Sequence, residues 1–544
     1  MVLCVQAVLS LRLIRVNTAF QDEALYLWAG HMEWSHWLHG TSIPLYATYF
    51  SGAPVLYPPL GALADSLGGL VGARLLSLGF MLVATAALWG TTSRLYGRRA
   101  AFFAAALWAV LGPTLHLGVF ATYDAMSLCL LAVAAWCAVH AGPRRDETGW
   151  MAATAAALVL ANATKYASAL FDPVVVAIVI LNAWSLPAGS KAALSRGAAL
   201  AAYVTSGAIL LITVGGGYYE AGIGQTTLTR TSGTDSPMLI LGDSWSWSMT
   251  VVIAALVGVA VALVTEESLH RRLVLAVLAG AASLVPVEQA RIHTLTSLDK
   301  HVDFGAWFAA IAAGYAASKL IDLWRRRWLR AAATVVIGAA LLVPAQRGAA
   351  QGLSLVRQWP NATRFYHAFG RLAAVHPGRF LVETPSIPEY YLPLGAHWQL
   401  WSNTRSVVLP SGHSISPAVN KPGNPSVYAR FIGRDYFSLV ALDFYATRVL
   451  DHEIAADLNR NPRYRVVADV PYGNGRYTFW ARIPAASQAR VAAHPRHRAR
   501  SSRALPSRSA VHSRSAVRSP FAVRIPRVAR MLRATRLPRG EGVR

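Results

Sequence analysis

A few charged residues of this chain stand where charges are scarce. Asp22 and Glu23 lie in "NTAFQDEALYLWAGH", among aromatic and aliphatic neighbours, and Asp124 opens the apolar run "TYDAMSLC". Lys165 sits in "NATKYAS", and Arg291 and Lys300 flank "IHTLTSLD". A positioned carboxylate can take the proton of an attacking hydroxyl. Cations nearby can absorb the negative charge that grows on a departing phosphate. Such a leaving group needs no proton donor, so one carboxylate base suffices, whereas glycoside hydrolysis uses a pair. Plainer readings exist. Asp22 and Glu23 also suit the first turn of a helix, Asp124 suits a cap, and the cations could reach out to lipid phosphates.

These residues must be held by a mostly apolar chain. It is 54% hydrophobic and only 14% charged, with a mean hydropathy of +0.37. That composition points to a polytopic membrane protein with some soluble part. The net charge of +25 is concentrated at the end, where residues 490–544 hold 15 Arg against one acid, Glu541. Nucleic-acid binding is therefore a poor reading of the basic balance. Cys4, Cys129 and Cys137 lie in apolar runs and read as buried thiols, not as a disulfide framework or metal site.

Apolar runs at about 1–18, 69–92, 100–118, 122–141, 149–164, 168–185, 197–215, 248–265, 272–289, 303–321 and 330–345 predict about eleven transmembrane helices. Residues 1–15 would form a helix of only about 22 Å against a bilayer core of about 30 Å, so the first span is expected to continue upstream of Met1. No small-residue cleavage site follows that run, which argues against a signal peptide. One set of loops carries thirteen Lys and Arg, and the opposite set, through residue 302, carries four: Lys165, Arg230, Arg291 and Lys300. The richer set belongs in the cytoplasm. The chemistry-bearing residues then face outward, as does a C-terminal α/β domain at 346–485. Within it "YRVVADV" and "GRYTFWARI" read as strands around the turn "PYGNG", and "LDHEIAADLNRNP" reads as a helix. The Arg/Ser-rich tail at 486–544 has no period and is expected to be disordered.

The first outer loop, about 19–68, has no Lys or Arg but several Trp and Tyr. "EALYLWAGHMEWSHWLHG" is expected to lie in the membrane interface as an amphipathic helix. His31, Glu33, His36 and His39 lack a tight ligand spacing and read as interfacial polar residues. No cofactor is certain, and a divalent metal is left open. Tyr57, Tyr166, His293 and His301 complete the set as candidate substrate contacts. There is no Walker loop or dinucleotide fingerprint, which speaks against ATP-driven transport.

Taken in order, "FQDEALYLWAGH", "YPPLGAL", "TYDAMSLCLLA" and "NATKYASAL" resemble the GT-C membrane glycosyltransferases that use polyprenyl-phosphate sugars. The protein mannosyltransferases of family 39 and the lipid A aminoarabinose transferases look most similar. The resemblance covers roughly residues 1–345 and implies a GT-C-like catalytic domain there. It implies Asp22 as catalytic base, Glu23 as its motif neighbour, Asp124 as a second site acid and Lys165 as a cation near the donor phosphate. The expected function is inverting transfer of a sugar from a polyprenyl-phosphate donor to a protein, lipid or polysaccharide hydroxyl, outside the cytoplasmic membrane. Lys165, with Arg291 or Lys300, would hold the lipid phosphate. The rival reading is a transporter or flippase of a lipid-linked or small polar substrate, which predicts charges deep in spans and symmetric broken helices. A third is a non-catalytic scaffold, which gives no reason for acids and cations to gather on one face.

Overall fold

The computed structural model describes residues 1–141, 147–184, 189–228, 232–415 and 422–483. Arg144, Arg145, Arg230 and the basic tail lie outside these residues. Helices run in chain order as α1 (Val2–Leu11), α2 (Gln21–His39), α3 (Tyr57–Tyr96), α4 (Arg98–Trp108), α5 (Gly112–Leu117), α6 (Tyr123–Ala138) and α7 (Glu147–Thr164). They continue as α8 (Asp172–Trp184), α9 (Gly189–Ile223), α10 (Pro237–Thr265), α11 (Leu269–Gly280), α12 (Leu284–Arg291) and α13 (Leu298–Asp322). After them come α14 (Arg327–Ala340), α15 (Leu342–Gln358) and α16 (Thr363–Val375).

Among the described residues, seven helices are long and apolar enough to cross a membrane, with α1 and α6 as shorter apolar helices. The chain is a multi-pass membrane protein. The seven are fewer than the eleven runs read from the sequence. The run at 100–118 divides into α4 and α5, with Leu111 extended and Pro113 in the first turn of α5. Proline is favoured there because that position's N–H has no intrahelical partner, so the run restarts instead of continuing. The packing axis is α13, whose Trp307 indole donates to the Ala84 carbonyl at 3.0 Å. Small residues let neighbours approach it closely, as membrane helices require. A Cβ on Gly314 would lie 2.3 Å from the Ala100 carbonyl oxygen, and one on Gly258 2.2 Å from that of Ala312.

The C-terminal part holds a five-stranded mixed sheet. Its strands are β1 (Phe380–Val382), β2 (Trp401–Ser402), β5 (Leu439–Leu442), β6 (Tyr464–Tyr472) and β7 (Gly475–Arg482), in the order β2-β1-β5-β7-β6. A separate antiparallel pair joins β3 (Val407–Val408) and β4 (Ser414–Ile415). Strands β2, β1 and β5 are parallel, while β7 runs antiparallel to β5 and β6. The two expected strands became β6 and β7, with Gly473 at φ +58° in the turn between them. The expected helix became α19 (Arg448–Arg460), preceded by α17 (Ser386–Tyr391) and α18 (Pro425–Gly433).

This C-terminal part does not stand apart from the helices. It lies along α2 and α3: Trp28 of α2 donates to the Gly395 carbonyl at 3.0 Å, and Tyr390 donates to Asp65 of α3 at 2.7 Å. Ala24, Leu27, Trp28 and Ala29 are all buried. The helix α2 is packed between α3 and α17.

Glu383 fixes the turn beyond β5. Its carboxylate accepts backbone N–H bonds from Asp443 at 2.8 Å, Phe444 at 2.9 Å and Ala446 at 2.5 Å, with Tyr445 and Thr447 also in reach. These bonds hold Phe444 at φ +59°, a left-handed conformation unusual for an aromatic residue. Burial pushes the Glu383 carboxyl up, but hydrogen bonds from Asp443 and the turn's N–H groups outweigh it and leave it below its ordinary value. Burial, with Glu383 beside it, pushes Asp443 up to about 8. A depressed carboxyl stabilises the fold above its unfolded value and loses that contribution as pH falls toward the folded one. Glu383→Gln should therefore destabilise the turn by about 1.5–3 kcal/mol near neutral pH. Its deficit against wild type should shrink below about pH 4. Amide exchange at residues 443–447 of the full-length protein measures both.

Candidate active site

The first turn of α2 is held from below by a buried ion pair. Arg74 of α3 donates Nε to Glu23 Oε1 and Nη2 to Glu23 Oε2, both at 2.8 Å. The remaining Arg74 protons go to the carbonyls of Ile14, Val16 and Thr18. Glu23 also accepts the N–H of Phe20 at 3.2 Å and that of Ala121 at 2.8 Å. Every acceptor position of this carboxylate is thus engaged, and Glu23 is 0% exposed. Its assignment among the catalytic acids is corrected: it fixes the start of α2 and cannot meet a substrate. Sequence reading passed over Arg74. A lone cation inside the apolar run "GGLVGARLLSLG" must find an acid, and that signal could have identified it.

One residue earlier, Asp22 points elsewhere. Successive helix residues are turned by about 100°, so Asp22 leaves the core that Glu23 enters. Its Oδ2 meets Lys300 Nζ at 3.0 Å. Lys300 continues to Asp124 Oδ2 at 3.1 Å, and Asp124 Oδ1 lies 2.6 Å from Lys165 Nζ. His301 Nε2 stands 3.8 Å from the same Asp124 oxygen. The Asp22–Lys300 contact has hydrogen-bond geometry, whereas those to Asp124 are close ion contacts without it. Four charges of alternating sign therefore form one line. The Asp22 side chain is 34% exposed and that of Asp124 is 0% exposed. Asp124 is thus enclosed between Lys165 and Lys300. Lys300 bridges the two acids.

Each member of the line comes from the end of an element. Asp124 is in the first turn of α6, and Lys300 and His301 are in the first turn of α13. Lys165 is an extended residue between α7 and a 3-10 turn over Tyr166–Phe171. Residues 51–53 grip it on both sides: Ala53 N–H donates to the Ala163 carbonyl at 2.7 Å, and Tyr166 N–H to that of Ser51 at 2.9 Å. Gly52 passes so close that a Cβ there would lie 2.0 Å from the Thr164 carbonyl oxygen. The Tyr123 ring supports the Lys165 ammonium at 4.8 Å, a favourable cation–π contact.

Lys165 also lines a cavity of about 420 Å³, with Ser51, Tyr166, Gln289, Arg291 and His301 on its polar side. Leu170, Phe171, Leu228, Val285 and Phe304 form its apolar side. Arg291 is largely exposed at this cavity and forks onto Glu288 at 2.7 and 2.6 Å. The structure thus brings Asp22, Asp124, Lys165, Lys300 and His301 together and sets Tyr166 and Arg291 around the adjoining cavity. Two candidates fall outside. Tyr57 is buried in the core with its hydroxyl 3.3 Å from that of Ser77. His293, at φ +52°, uses Nδ1 on the Asp235 carbonyl and holds a loop together. Neither lines the cavity.

Among the described residues, no group of three or more His, Cys, Asp and Glu could hold a metal ion. His31 pairs with Asp65 at 2.7 Å, and His36 bonds the Thr41 carbonyl, so the histidines of α2 do not converge.

Residues 62–210 match the family profile described as dolichyl-phosphate-mannose-protein mannosyltransferase. No curated protein sequence matches significantly. Among solved structures, ArnT from Cupriavidus metallidurans in the apo state is similar with a TM-score of 0.56 at 15% identity, covering 89% of this chain and 97% of that one. The same protein bound to undecaprenyl phosphate gives 0.55 at 15% identity, over 89% and 98% of the two chains. The Archaeoglobus fulgidus oligosaccharyltransferase in the apo form gives 0.53 at 11% identity, covering 84% of this chain and 70% of that one. The resemblance read from the sequence extends to the whole architecture: this chain has the fold of the GT-C membrane glycosyltransferases.

Proposed function

We propose that the protein transfers a sugar from a polyprenyl-phosphate donor to an acceptor hydroxyl on the outer side of the cytoplasmic membrane. The observation that carries this reading is the line Asp22–Lys300–Asp124–Lys165, which ends in solvent at one carboxylate and in a cavity at one ammonium. Residues 1–345 form the catalytic membrane domain in this reading, and 346–485 form an outer domain resting on it. The positive-inside balance supports this orientation. A structure similar in fold holds undecaprenyl phosphate, which supports the class of donor.

In the reaction, the acceptor oxygen attacks the anomeric carbon as Asp22 takes its proton. The bond from that carbon to the phosphate oxygen breaks, and the lipid phosphate leaves with the electron pair. Lys165 and Arg291, with His301 nearby, meet the charge that grows on it. Asp124 keeps Lys165 and Lys300 at fixed positions, and Lys300 orients the Asp22 carboxylate. The apolar side of the cavity suits the first isoprenoid units of the donor. The acceptor is a protein, lipid or polysaccharide bearing the attacking hydroxyl.

Asp22→Asn should lower transfer by about 10²–10⁴-fold while the lipid donor still binds. Membranes supplied with a radiolabelled polyprenyl-phosphate sugar test this, and transfer at the wild-type rate would remove Asp22 as the base. Gly52→Ala tests the cavity wall separately. The added methyl must displace the Thr164 carbonyl and with it Lys165. Misplacing a catalytic group by about 1 Å can cost about 10²-fold, so transfer should fall steeply in this variant too. Wild-type activity in Gly52→Ala would show that Lys165 need not be held there.

A further inference from the structure

We infer that Tyr391 is a positioning residue for the Asp22 carboxylate, acting from the C-terminal part of the chain through the entry to α2. This rests on the reading of Asp22 as the base. The segment leading into α2 is held by distant residues at each step. The Asn17 side-chain amide donates to the Trp359 carbonyl. The Thr18 hydroxyl accepts the Ala362 N–H at 2.9 Å, and the Ala19 N–H donates to the Tyr391 hydroxyl at 2.7 Å. Phe20 stacks on Trp359 with ring centroids 4.9 Å apart.

Tyr391 is itself rigidly held. Its ring stacks on Tyr366 at 4.3 Å and 11°, and it meets Tyr390 edge-on at 4.7 Å. The Tyr390 hydroxyl donates to Asp65 on α3, which pins α17 to the helices. The buried Ala19 amide is thus tied to an aromatic stack that cannot shift freely. Asp22 lies three residues further on, within the first turn, and Lys300 is its charged partner. The position of its carboxylate is therefore set by the start of α2. Arg74 holds that turn through Glu23, and Tyr391 holds the residue just before it through the Ala19 amide.

A buried amide left without its acceptor weakens the local structure. Tyr391→Phe removes the acceptor and keeps the stack. In the full-length protein in lipid nanodiscs, it should speed amide exchange at residues 19–24 by about tenfold or more. With the polyprenyl-phosphate sugar turned over by wild type, kcat should fall by about tenfold at nearly unchanged donor KM, the split expected when only the base is misplaced. Thr18→Val, a milder loosening of the same segment, should give the same split if Tyr391→Phe folds poorly. Tyr436→Phe, which removes a hydroxyl bonded to the Val408 carbonyl elsewhere in the C-terminal part, should leave both readings at wild type. Unchanged exchange at 19–24 in Tyr391→Phe would overturn the inference, as would faster exchange with wild-type kcat. A wild type that turns over no such donor would defeat the reading of Asp22 as base instead, and the exchange result, which needs no substrate, would still decide whether Tyr391 fixes α2.

Discussion

Charges set among apolar helices must be neutralised by one another, and four of them here do so in one line. Lys300 stands between Asp22 and Asp124, and Asp124 stands between Lys300 and Lys165. Removing Asp124, which faces both lysines, would leave two uncompensated buried cations, at a cost of about 3–5 kcal/mol. The elements that supply the four residues are therefore bound to a common geometry. The starts of α2, α6 and α13 and the turn after α7 cannot drift independently. Only at its two ends does the line reach a space open to other molecules: solvent at Asp22, the cavity at Lys165.

The rest of the architecture supplies what this line needs. Glycine contacts bring α4 and α10 close to α13, whose first turn carries Lys300 and His301. The Arg74–Glu23 pair and the Tyr391–Ala19 bond both hold the entry to the turn that carries Asp22. Residues 51–53 and the ring of Tyr123 hold Lys165. In the proposed reaction, the proton and the departing phosphate appear at opposite ends of a rigid array. Catalysis gains from such fixed dipoles and charges because little reorganisation is needed as the barrier is crossed.

What the sequence disclosed divides along physical lines. Hydropathy is a local property, so the apolar runs were readable, and so were β6, β7 and α19 from their periods and turn residues. Run lengths were less readable, because a Gly-Pro step that ends α4 and starts α5 looks apolar too. Pairing partners were not readable at all: Lys300 and Asp22 are 278 residues apart, and Arg74 and Glu23 are 51 apart. The adjacent acids of "QDEA" looked alike, yet one helical step of rotation sends Glu23 into the core and leaves Asp22 at the surface. Tyr57 was a candidate substrate contact, yet a tertiary contact with Ser77, 20 residues away, sets its place in the core. His293 took part in a loop whose left-handed backbone has no signature in residue type.

In the proposed reaction a single carboxylate, Asp22, drives one direct displacement at the anomeric carbon, while Asp124 stays between its two lysines. The measurement closest to that claim is the anomeric configuration of the product made from a polyprenyl-phosphate sugar of known configuration. It is read by the one-bond carbon–hydrogen coupling at the anomeric centre. A single displacement gives inversion. Retention would require two displacements through a second nucleophile that the array does not offer, and would contradict it.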